Sequence, residues 1–132
     1  MSRSRARTLR KVIPIAQGRE AGGITVALSA LELYEGGGGV LLYLISYNPE
    51  GAFEFGGPEP EVEIRDASGN RYGWSLDGYS GGDGEEEGTL EVFDFQDSGD
   101  LEVMVTRVVR TEPPDGAVSE AREGPWEFHL SL

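Results

Sequence analysis

Residues 81–88 read Gly-Gly-Asp-Gly-Glu-Glu-Glu-Gly, a run of carboxylates in a glycine frame. Oxygen donors packed this closely are what calcium takes, so Asp83, Glu85 and Glu86 are the candidate metal ligands. The spacing does not complete either known loop. An EF-hand needs Asp or Asn at its third position, where Glu85 stands. The calcium-binding nonapeptide needs Asp where Glu86 stands, and it works through stacked copies, of which this chain has one. The stretch therefore reads as a solvated hairpin loop, in which glycine supplies the turn and glutamate discourages edge pairing. No metal or other cofactor is expected.

Other chemistry is bounded by what the chain lacks. It has no cysteine, which excludes disulfides, thiolate metal sites and cysteine nucleophiles. Its one histidine, His129, excludes any site built from two imidazoles of one chain. His129 alternates outward between Phe128 and Leu130, and no serine or threonine has a base without it. With 24 acidic residues, some carboxylate pair will always fall at a glycosidase separation, so abundance is no argument for hydrolysis. Asp94, between Phe93 and Phe95, is the acid with the most apolar neighbours, and it reads as the wet side of a strand. Gly36–Gly39 lack the lysine and following helix of a phosphate loop. The chain reads as no enzyme. A small-ligand or carbohydrate site is the alternative, built on Tyr72, Trp74 and Tyr79 beside the acidic 77–88 loop. Tyr72 and Trp74 share a strand face, and Trp126 reads as core.

Charge is divided unevenly along the 132 residues, whose net charge is −13. Residues 1–19 carry six of the eleven basic side chains and no acid, while the remainder carries five basic and all 24 acidic ones, a balance of −19. Arg3, Arg5, Arg7, Arg10 and Lys11 thus make residues 1–11 a basic arm and the candidate partner-binding segment. Three readings of the arm stand: it binds a polyanion or an acidic protein, it folds back on the acidic body, or it is a plain tail. Its basic start lacks the apolar run of a signal peptide, and no segment is long and apolar enough to span a bilayer. The chain as given reads as cytoplasmic, with an envelope location if it is part of a longer protein.

The elements behind these residues are strands. Apolar side chains recur at every second position from residue 12 onward, and helical periodicity is nearly absent. Val12–Gln17 reads as an edge strand, because Pro14 cannot donate to an inner ladder. In Ile24–Tyr34 the apolar phase shifts after Leu28, which places a bulge near Ser29–Ala30. Val40–Tyr47 is continuously apolar and reads as a central strand buried on both sides. Phe53–Phe55 reads as a short edge segment. Ser68–Asn70 reads as a hairpin turn that returns Arg71–Leu76 along the preceding strand. Trp126, Phe128, Leu130 and Leu132 alternate with polar residues at the end. Seven to eight such strands predict an all-β, immunoglobulin-like antiparallel sandwich over residues 12–132, with a small barrel as runner-up.

Three stretches together carry a family likeness: Gly23–Tyr34, Val62–Tyr72 and Gly124–Leu132. The combination resembles bacterial immunoglobulin-like domains at the C-terminus of some membrane-tethered, anti-sigma-factor-like proteins, and their stand-alone actinobacterial relatives. Asp66 to Gly69 stand at that family's D-x-x-G hairpin, and Gly124 to Phe128 at its closing G-x-W-x-F strand. The resemblance implies a sandwich and no known catalytic residues. The expected function is a non-enzymatic protein-interaction or structural module whose partner is another protein or assembly. Its edges at Val12–Gln17 and Phe53–Phe55 would be open to extended partners.

Overall fold

The computed structural model describes residues 8–48, 58–82, 84–94, 99–112 and 116–132. Arg3, Arg5, Arg7, Phe53–Phe55 and Asp83 lie outside them. Among these described residues eight strands follow one another: β1 (Leu9–Ala21), β2 (Ile24–Tyr34), β3 (Gly39–Ser46), β4 (Glu59–Asp66), β5 (Trp74–Gly82), β6 (Glu85–Val92), β7 (Asp100–Glu112) and β8 (Ala117–Ser131). They form a five-stranded sheet in the order β1-β2-β3-β6-β5 and a three-stranded sheet in the order β4-β7-β8. All the ladders are antiparallel. The all-β sandwich is what this chain forms. Three consecutive strands lie side by side in the larger sheet, whereas the antibody constant domain sends its third strand to the other sheet. The architecture is thus shared without the antibody connectivity.

Alternation explains the two-layer packing. Val62 and Ile64 of β4, Val103 and Val105 of β7, and Trp126, Phe128 and Leu130 of β8 form the inner face of the small sheet. Ile24, Val26, Leu28, Leu41, Ile45, Leu90 and Val92 face them from the large one. Each such large apolar side chain contributes about 1.5–3 kcal/mol when fully buried. The bulge falls at Ser29, where both ladders of β2 shift register between Leu28 and Ala30. That extra residue lets Leu31 and Leu33 return to the core, each 1% exposed.

Four expectations are corrected. β1 begins at Leu9, so Arg10 and Lys11 are strand residues and the arm is shorter than 1–11. β3 is not buried on both sides: Leu41, Tyr43 and Ile45 are core, while Leu42 and Leu44 are half-buried on the face turned away from the small sheet. The Ser68–Asn70 turn closes only a short hairpin, in which Asp66 N–H donates to the Asn70 carbonyl at 3.0 Å and Tyr72 N–H to the Ile64 carbonyl at 2.9 Å. Arg65 bridges Arg71 there, and the chain then leaves for the other sheet, to which β5 belongs. The chain crosses between layers here because Tyr72 and Trp74 turn into the core. Finally, the strand expected through Asp94 ends at Val92, and Asp94 sits exposed in a turn at φ +53°.

Two indoles join the layers. Trp126, 1% exposed, donates Nε1–H from the small sheet to the Ile24 carbonyl of the large one at 3.0 Å. Trp74 donates in the opposite direction, from β5 to the Val62 carbonyl of β4 at 2.8 Å. Gly124 makes room for the first: a Cβ there would stand 2.5 Å from Cε3 of Trp126. This gives the G-x-W spacing a steric reason. Replacing Trp126 by Phe leaves the Ile24 carbonyl dry and without its donor. Urea unfolding should then show a loss of about 1–3 kcal/mol, more than for an exposed control such as Val118→Ala.

Candidate functional site

The acidic stretch is not a loop. Gly82 pairs directly with Glu85, so the β5–β6 connection is a tight turn with Gly84 at φ +95°. Glu85, Glu86, Glu87 and Gly88 are strand residues paired with Ser46, Ile45, Leu44 and Tyr43 of β3. Alternation sends Glu85 and Glu87 outward and Glu86 inward, where it is 3% exposed. Gly88 shares that inner face, and its missing side chain leaves space for Tyr43, whose Oη lies 2.5 Å from where a Cβ would stand. The three glutamates therefore cannot converge on one ion. Among the described residues no cluster of three metal-ligating side chains is present.

Burial raises the Glu86 carboxyl above its ordinary value of 4.5, and the negative Glu59 across on β4 adds to the effect. Asp66 shows the opposite case. Its carboxylate accepts bonds from Tyr72 Oη at 2.8 Å, Asn70 Nδ2 at 3.1 Å, and the backbone N–H groups of Ser68 and Asn70, both at 2.9 Å. The Tyr72 bond first, then those from Asn70 and Ser68, hold it below its ordinary value of 3.8. Asp66 is the knot of the D-x-x-G turn and anchors the crossing from β4 to β5.

The aromatic face proposed for a small ligand looks inward. Tyr72 and Trp74 are half-buried, pack against the core and spend their polar hydrogens on Asp66 and Val62. Tyr79 pairs with Gly88 along the backbone, and its side chain lies outside the described residues.

His129 is exposed on the outer face of the small sheet, as its alternation required. Its Nε2 stands 3.5 Å from Asp100 and its Nδ1 3.7 Å from Glu102, while Arg65 faces Glu63 at 3.8 Å. A shallow depression of about 340 Å³ lies among these side chains. Charges of both signs answer one another across it, and its ion pairs are solvent-exposed, which makes each worth little.

A different kind of surface occurs along β1, an edge of the five-stranded sheet. Its two halves differ. In the second half, Gln17 Nε2 donates to the His129 carbonyl of β8 at 3.2 Å, and the Arg19 guanidinium lies over the Phe128 ring at 5.4 Å. Arg19 also donates to Gln17 Oε1 at 3.2 Å, so one polar cluster closes the sandwich along this seam. The first half pairs with Leu31–Tyr34 of β2 on one side and extends past that seam. Leu9 and Val12 are each 48% exposed there, beside the exposed Arg10 and Lys11. Of the basic partner-binding residues expected from sequence, the structure thus sets Arg10 and Lys11 on a strand that, among the described residues, ends the larger sheet. Leu9 was missed because basic neighbours masked its strand character.

Two titrations follow from the carboxylates. Protonated Glu86 stabilises the fold below pH 4.5, and that contribution disappears as pH rises through its higher folded value. Glu86→Gln should therefore raise the urea midpoint at pH 7 and lose its advantage near pH 3.5. Ionised Asp66 stabilises above pH 3.8, and that contribution fades as pH falls through its lower folded value. Asp66→Asn should lower the thermal midpoint at pH 7, with the gap to the parent closing in strong acid.

A crystal structure of a conserved domain protein from Bacillus anthracis superposes with a TM-score of 0.73 at 15% sequence identity, over 92% of this chain and 48% of that one. At that identity the likeness is one of fold, and this chain spans about half the length of the structure it matches. No family model matches the chain, and no curated protein matches it.

Proposed function

We propose that this chain is a non-enzymatic protein-interaction module, an acidic β-sandwich that engages another protein through its basic N-terminal segment and the adjoining sheet edge. One observation carries the reading: the first half of β1 leaves Leu9 and Val12 half in water on an edge strand, beside Arg10 and Lys11. Edge strands present unsatisfied backbone groups that extended partners pair with readily. The basic segment would draw an acidic partner to this edge, while the −19 body repels that partner elsewhere.

A photo-crosslinking residue at position 12, compared with one at position 75 on the opposite edge strand β5, tests this in the cells that make the protein. The expected outcome is a discrete adduct from position 12, absent from position 75 and lost when residues 1–11 are deleted. Equal labelling from both edges, or none from position 12, would contradict the proposal.

A further inference from the structure

We infer that the outer face of the five-stranded sheet docks a basic amphipathic helix of another protein, on a surface separate from the β1 edge. The ladder registers lay that face out row by row. Ala27, Leu44, Glu87 and Ser80 lie side by side in one row, and Ala30, Leu42, Thr89 and Gly78 in the next. Their chain neighbours Leu28, Tyr43 and Leu90 point the other way, into the core. Leu42 and Leu44 are half-buried on a face that the small sheet does not cover. Small residues flank the pair, Ala27 and Ala30 on β2 and, beyond β6, Gly78 and Ser80 on β5. A shallow groove of about 480 Å³ results, walled by Ser29 at the β2 bulge and carrying Glu87.

Charge selects the occupant. The outward rows contain Glu20, Glu32, Glu85, Glu87 and Glu91, and no lysine or arginine. Glu87 pairs with Leu44, and Glu85 follows it on the same face; both are exposed and form no ion pair with a described residue. The outer face of the small sheet differs, since Arg65, Arg107 and His129 stand among its acids. An apolar floor with carboxylates along one flank fits a chain with an apolar stripe and lysine or arginine beside it. Nucleic acid, an anionic lipid surface and the same face of a second copy all bring the wrong sign. Backbone pairing selects the helix. β3 lies between β2 and β6, and β6 between β3 and β5, so both strands already have partners on each side. A chain lying on this face finds no ladder to join and must satisfy its own backbone, as a helix does. The spacing agrees. Alternate strand residues such as Glu85 and Glu87, or Leu42 and Leu44, are about 6.8 Å apart, and helix residues four apart are separated by about 6 Å.

The test uses the full chain and a fluorescent helical peptide of about fourteen residues, with leucine on one stripe and lysine along its flank, read by anisotropy. Four comparisons accompany it: a scrambled sequence, a version with two central prolines, the glutamate counterpart, and the Glu85→Gln/Glu87→Gln variant of the protein. The lysine peptide should bind, weaken with added salt, and shift the amide resonances of Leu42–Leu44 and Glu85–Thr89 while leaving those of Leu9–Ile13 in place. The variant should bind about fivefold more weakly, as two lost surface charge pairs imply. Scrambling and proline should each remove most of the binding, because they keep the charge but lose the stripe or the helix. Those two arms need no altered protein, so misfolding of a variant does not confuse them. No binding at millimolar peptide, equal binding of the scrambled or proline peptide, or shifts confined to Leu9–Ile13 would overturn the inference. So would self-association in sedimentation that Leu44→Lys abolishes, because a second copy would then be the occupant. None of these outcomes alters the crosslink expected at position 12, so the two readings fail separately.

Discussion

Two sheets of extended chain have little reason to keep one relative position unless something directional joins them. Here two indole N–H bonds run in opposite directions across the core, from Trp126 to Ile24 and from Trp74 to Val62. Apolar burial supplies most of the free energy, but it is non-directional. The bonds fix which residues face which, because a carbonyl left dry without its donor costs about 1–3 kcal/mol. Everything nearby accommodates these rings. Gly124 lacks the Cβ that would strike Trp126. Asp66 gathers Tyr72, Asn70 and Ser68 into a turn that delivers the chain from one sheet to the other.

Closure of the sandwich is uneven, and the unevenness is what leaves a surface available. Where β1 approaches β8, Gln17 and Arg19 seal the seam with a hydrogen bond and a guanidinium over Phe128. Where β1 runs on toward Leu9, its outer edge passes beyond that seal. The outer face of the small sheet is the opposite case: Arg65 stands against Glu63, and His129 lies between Asp100 and Glu102. Among the described residues Glu86 is the one buried acidic or basic side chain, and its raised titration is the consequence of that position.

Much of this was legible in the residues. The phase shift after Leu28 located the bulge at Ser29, since an extra residue is what period-two patterning needs to restart. The clean alternation from Trp126 to Leu130 placed Trp126 in the core and His129 outside. Glu86 was readable too: counting back by two from Val92 and Leu90 passes through Gly88 to Glu86, all on one inner face. Three adjacent glutamates concealed that register. Other features were not legible. Whether Tyr72 and Trp74 face the core or the solvent depends on the chain changing sheets, which no local spacing encodes. The continuous apolar run of β3 suggested cover on both faces because periodicity alone cannot separate a doubly buried strand from one with leucines on its outer side. The strand character of Leu9–Lys11 comes from pairing with β2, a partner about twenty residues away in sequence.

Residue-resolved amide hydrogen exchange of the full chain tests the central claim, that the layers are locked together by the indole bonds and sealed along β1 only from Gln17 onward. The account predicts global-level protection for Ile24, Val26, Leu41, Ile45 and Val103, intermediate protection around Gln17–Arg19, and a step to fast exchange among the outward amides of Leu9–Ile13. Uniform slow exchange along all of β1, or exchange in the strands carrying Trp126 and Trp74 as fast as at the edge, would contradict it.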